Sequence, residues 1–125
     1  MIDKLISRLA DLGYTFDPTK DETLLEYCLD SVENKIKNRI NDSTIPEGLE
    51  HVEIDMVCGE FLMMNKSMGQ LDTYTFEQVA NSIKEGDTQI TFQSGATPEQ
   101  VFDAYISRMI NDHLEDFIRY RKMVW

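Results

Sequence analysis

Glu47, His51 and Asp55 follow one another at intervals of four residues. A helix through them sets a carboxylate, an imidazole and a second carboxylate on one stripe. This is the one metal-like spacing in the chain. A bound ion wants three or four converging ligands, and an outward-facing stripe does not supply convergence by itself. The three residues are read as polar exterior, and no metal ligand is assigned. His113 stands alone among apolar helical positions and reads as a core or boundary histidine. Cys28 and Cys58 each fall on an apolar helical face and read as small buried thiols. A disulfide between them would be unusual in a reducing compartment. There is no nucleophile elbow, no glycine-rich phosphate loop and no cysteine–histidine pair at motif spacing. The expectation is a protein that is not an enzyme, with no catalytic residue and no cofactor, whose work is contact.

Size and charge narrow this further. At 125 residues the chain is read as one domain, large enough for a hydrophobic core without metals or disulfides. No apolar run approaches the ~18 residues of a membrane span. Asp3, Lys4, Arg8 and Asp11 in the first dozen residues do not read as a secretory signal. The expected location is the cytosol, or a particle assembled there. A net charge of −11 argues against non-specific attraction to nucleic acid, which needs a basic footprint. It suits solubility, a basic partner, or a surface that repels DNA.

The pattern predicts a mainly α fold, a small bundle of about four helices, with one β-hairpin between the third and fourth. The helices are placed at 2–12, 19–40, 46–68 and 98–118, and the hairpin at 79–92. The third is the centre. Leu49, Val52, Met56, Val57, Phe61, Met64 and Met68 recur at helical spacing. Ile54, Cys58, Leu62 and Met63 widen that stripe over much of the circumference, so other elements must cover it. Glu47, Glu50, His51, Glu53 and Asp55 are expected to keep its first turns polar outside. In the second helix Thr19 and Glu22 have capping-box spacing, and Leu25, Cys28, Leu29, Val32, Ile36 and Ile40 face inward. Its outer face carries an acidic stripe, Glu22, Glu26 and Asp30, which reads as a solvated surface or a docking face.

Beyond Gly69, Val79, Asn81, Ile83, Ile90 and Phe92 read with period two, around a turn at Lys84-Glu85-Gly86-Asp87. A lone hairpin is marginal in water. Its edges, with Ile83, Glu85, Asp87 and Ile90, are read as contacts to other subunits or as a cover over the chain's own core. In the last helix Thr97, Pro98 and Gln100 form the start, and Val101, Phe102, Tyr105, Ile106, Met109, Ile110 and Leu114 form the buried side. The chain then reaches Arg119, Tyr120, Arg121, Lys122 and Trp125. Arginine and aromatics anchor interfaces, and a cationic, aromatic segment stands out on an acidic protein. Removing residues 116–125 is expected to leave the remainder folded.

The order of these parts resembles the head–tail connector (adaptor, or head-completion) proteins of tailed bacteriophages and prophages of Gram-positive hosts. The resemblance runs from about residue 21 to the last. It rests on Ile45-Pro46-Glu47-Gly48-Leu49-Glu50 opening the central helix and on Ser82-Ile83-Lys84-Glu85-Gly86-Asp87-Thr88-Gln89-Ile90-Thr91-Phe92. The capped last helix and the run Arg119-Tyr120-Arg121-Lys122-Met123-Val124-Trp125 complete it. The resemblance implies a non-enzymatic ring, commonly dodecameric, that docks on the portal protein, extends the DNA channel and receives stopper or tail proteins. It implies that the segment 119–125 contacts the portal. DNA would be passing cargo, and no membrane is involved. A chain of this length has a radius of gyration of about 14 Å, so only an oligomer can enclose a duplex. The rival expectation from the charge is an acidic DNA mimic that inhibits a nuclease or repressor. Lys35, Lys37, Arg39 and the basic last segment interrupt the long acidic face such a mimic needs.

Overall fold

In the computed structural model, residues 1–68, 77, 79 and 98–121 are described. They form α1 (Ile2–Asp11), α2 (Pro18–Ile40), a 3₁₀ turn (Glu47–Leu49), α3 (Glu50–Ser67), α4 (Pro98–Asn111) and α5 (Leu114–Tyr120). The mainly helical reading holds. The β-hairpin does not, because among the described residues there is no strand. Val79, where it was to begin, is helical and buried, and Glu77 before it is helical. The rest of 79–92 lies outside the described residues. The sequence offers the reason: Phe76, Val79, Ala80 and Ile83 also stand at i, i+3, i+4 and i+7, so this run matches a helix as well as alternation.

α3 sits at the centre, with α1, α2 and α4 packed around it. Val52, Val57, Cys58, Phe61 and Leu62 have no exposed surface. α2 runs antiparallel to it. Cys28 Sγ lies 3.6 Å from Met64 Sδ, and Lys35 pairs with Glu60 nearer the start of α3. α4 is also antiparallel: Lys66 Nζ, near the end of α3, bridges to Glu99 (3.2 Å) and Asp103 (2.6 Å) near the start of α4. α1 runs in the same sense as α3, with Lys4 reaching Glu50 and Arg8 reaching Asp55.

The α1–α2 connection is latched by a buried carboxylate. Asp21 accepts from the Tyr14 hydroxyl (2.9 Å) and from the Asp17 backbone N–H (3.0 Å). The Tyr14 ring meets Phe61 edge-on at 5.4 Å. Burial, with Asp21 alongside, pushes the Tyr14 hydroxyl's pKa well up, so it stays a donor. The start of α2 differs from the expected Thr19–Glu22 box. Asp17 is the N-cap, its side chain accepting from Thr19 N at 3.0 Å, and Pro18 occupies the first turn. α2 ends at Asn41 in the left-handed region, φ 55°.

Gly59 sets the α3–α4 approach. A Cβ there would lie 3.0 Å from Ile110 Cγ1 and 3.2 Å from Met109 Cβ. Replacement by leucine forces the helices apart and is expected to lower stability by about 1–3 kcal/mol, read from a denaturant titration of Gly59→Leu against the wild type.

Candidate interaction surfaces

Glu47 falls in the 3₁₀ turn rather than in α3, His51 is exposed, and Asp55 accepts from Arg8 Nε at 3.2 Å. The stripe of three is thus broken by the backbone and one member is paired. Among the described residues no group of three or more His, Cys, Asp or Glu is arranged to hold a metal ion. Burial pushes the Cys28 thiol up to about 11 and the Cys58 thiol up to about 12, so neither forms the thiolate that reacts. Cys58 Sγ donates to the Leu5 carbonyl at 3.6 Å. His113 is buried, its Nε2 2.5 Å from the Met109 carbonyl oxygen, so that nitrogen carries the proton.

A polar cleft of about 250 Å³ lies between α3 and α4, lined by Asp55, Tyr105, Arg108, Met109, Asp112 and His113. Arg8 enters beside it and donates to Tyr105 Oη at 3.1 Å as well as to Asp55. Burial works against the guanidinium charge, and Asp55 and Tyr105 outweigh it. Arg108 pairs with Asp112 at 3.5 Å. The cleft thus places Arg8 and Arg108 beside Asp55 and Asp112.

The last helix departs from expectation. The predicted helix over 98–118 is two helices, with a break at Asp112 and His113. The break re-aims the chain beyond it. Phe117 turns inward and is 5% exposed, under the Arg39 guanidinium at 5.6 Å from the ring centre. Leu114, expected on the buried side, is 64% exposed, and Ile118 is 63% exposed. At i and i+4 they share one outward face, with Arg119 and Arg121 exposed beside them. Tyr120 is half-buried and lies over Gly48, where a Cβ would fall 1.9 Å from its hydroxyl oxygen, so only glycine admits the ring. Burial of Phe117 also corrects the expectation that 116–125 is dispensable for folding. Removing that ring opens the core at a cost of about 3–5 kcal/mol.

A second apolar surface lies at the other end of α2. A groove of about 550 Å³ is lined, among the described residues, by Lys20, Asp21, Thr23, Leu24, Tyr27, Asn65 and Met68. Tyr27 and Met68 are 62% and 53% exposed. Glu22, Glu26 and Asp30 are all exposed on the outer side of α2. The expected contact residues therefore divide. Glu22, Glu26, Asp30, Arg119 and Arg121 are on the surface and Tyr120 is partly so, in two groups at opposite ends of α2. Ile83, Glu85, Asp87, Ile90, Lys122 and Trp125 lie outside the described residues. Leu114, Ile118, Tyr27 and Met68 were missed as surface residues because helical spacing assigns every apolar residue to a core.

Glu53 is the titratable group that the fold strains. Expected on the polar outside, it is 5% exposed. Burial pushes its carboxyl up to about 7, helped by a hydrogen bond with Glu33 and by the charges of Glu33 and Glu50, against Lys37. The folded state therefore holds a proton that the unfolded chain releases near the ordinary carboxylate range. Stability falls as pH rises from about 4.5 to 7, and the penalty persists above that. Glu53→Gln is expected to be more stable than the wild type by about 1–2 kcal/mol at pH 8 and to converge with it near pH 4.5, checked by thermal melts across that range.

Compared with known proteins, the chain matches no family model, no curated protein and no solved structure.

Proposed function

We propose that this chain is a non-enzymatic structural adaptor of a phage head–tail junction. In this reading it forms a ring on the portal protein, extends the DNA channel and receives stopper or tail proteins. The observation that carries the reading is the face of α5. Phe117 and Tyr120 tie that helix to the body, while Leu114, Ile118, Arg119 and Arg121 point away from it. A helix held rigid on one side and left apolar and cationic on the other is built to meet another protein. Its basic character on a chain of net charge −11 suits a partner with an acidic rim. The remaining acidic surface suits a channel component, since repulsion denies passing DNA any phosphate contacts. The order of sequence parts that resembles connector proteins supplies the identity of the partner, and no helix among the described residues is long and apolar enough to cross a membrane.

A second reading, an acidic DNA mimic bound to a nuclease or repressor, draws on the exposed line of Glu22, Glu26 and Asp30. That line is short, and Lys35 and Arg39 are also exposed further along the same helix.

The test is capture of a portal protein of a tailed phage. The full-length protein is expected to retain it, and Lys122→Glu/Trp125→Ala to lose at least tenfold in capture with an unchanged melting temperature. Undiminished capture by the double variant, or recovery of a nuclease or repressor in place of the portal protein, would remove the adaptor reading.

A further inference from the structure

The two apolar surfaces differ in shape and in charge, and they cannot meet within one copy. One is a ridge: Leu114 and Ile118 on α5, flanked by Arg119 and Arg121. The other is a groove: Leu24, Tyr27 and Met68. Its outer border is acidic. Asp30 is one turn beyond Tyr27, and Glu26 one turn beyond Thr23, on the same side of α2. Lys20 is a cation among the described lining residues, and it sits at the start of the helix, away from Asp30. Asp21, though in the lining, is spent on Tyr14. α5 is fixed against α2 at Arg39, twelve residues beyond Tyr27, which at 1.5 Å per residue puts the two surfaces about 18 Å apart along the helix.

The geometry points to a second copy of this chain as the occupant of the groove. The α5 ridge of one copy seats Ile118 and Leu114 against Tyr27, Leu24 and Met68 of the next. Arg119 and Arg121 then face Glu26 and Asp30. The occupant is argued from complementarity, because apolar ridge meets apolar groove and cationic flank meets anionic border. Two different surfaces joined head to tail make a heterologous contact, which propagates from copy to copy and closes when the rotation allows. The inference rests on the adaptor reading for the purpose of such assembly, though not for the contact itself.

The experiment places one cysteine on each surface, in separate full-length chains, as Ile118→Cys and Tyr27→Cys. Cys28 and Cys58 are buried and stay silent under a mild oxidant. Mixing the two chains is expected to give the mixed disulfide dimer in at least tenfold excess over either homodimer. Raised salt is expected to lower the yield severalfold, as is Arg119→Glu/Arg121→Glu in the Ile118→Cys chain. Combining that change with Glu26→Lys/Asp30→Lys in the Tyr27→Cys chain is expected to restore it. Homodimers as abundant as the mixed species, no cross-linking, or failure of the charge exchange to restore the yield would each overturn the contact. Cross-linking that fails while portal capture persists removes this inference alone, and cross-linking that succeeds while capture fails removes the adaptor reading alone.

Discussion

A helix that is apolar on nearly every side has to be surrounded, and α3 imposes this on the whole molecule. Val52, Val57, Cys58, Phe61 and Leu62 point in different directions around it and none reaches water. α1, α2 and α4 each take one side. The polar residues that α3 carries into this enclosure are answered one by one. Glu60 meets Lys35, Asn65 donates to the Phe61 carbonyl at 2.9 Å, and Glu53 shares its proton with Glu33. Among the described residues no buried side-chain nitrogen or oxygen lacks a partner. Asp55 and Tyr105, beside the polar cleft, are occupied with Arg8.

The large exposed apolar side chains described above then lie toward the two ends of α2. α5 does not extend α4; it starts a new direction after Asp112 and His113. Phe117 inward and Leu114 and Ile118 outward are one decision of geometry. The same helix that fills the gap beside Arg39 presents the most exposed aliphatic side chains among the described residues. At the other end, the antiparallel pairing of α2 with α3 brings Tyr27 next to Met68 and leaves both open. Exposed groups of this size are costly to leave in water, and a surface that keeps two of them apart is fitted for two partners rather than one.

Much of the architecture was legible from residue spacing. Phe61 and Val57 could be placed in the core because they recur at helical spacing with Leu49, Val52, Met56 and Met64, and Cys58 because it widens that stripe. What spacing could not deliver were the breaks. Asp17 outcompetes Thr19 as the cap because its carboxylate reaches the Thr19 N–H, a contest of local hydrogen bonds. Glu53 looks solvated by residue type and is buried because α2 covers that side. Val79 belongs to a run that satisfies two periods at once, and Val79 itself is helical. The candidate surface was half legible. Its charges were found from the sequence, whereas Leu114 and Met68 were assigned inward and Tyr27 and Ile118 were not singled out, since a helical period does not say where a helix stops.

The joint between α4 and α5 carries a further implication. Each residue along a helix turns the chain by about 100°, so one residue inserted or lost between Asn111 and Leu114 would swing α5 by more than a quarter circle. Loss of one residue would bring Ile118 to the inward place of Phe117 and turn Phe117 toward that of Asp116, so the outward grip would point elsewhere and the core would keep an aliphatic filling at that end. The direction of that outward face is thus set by chain length at a single joint, while the packing of α1, α2 and α4 around α3 does not depend on it.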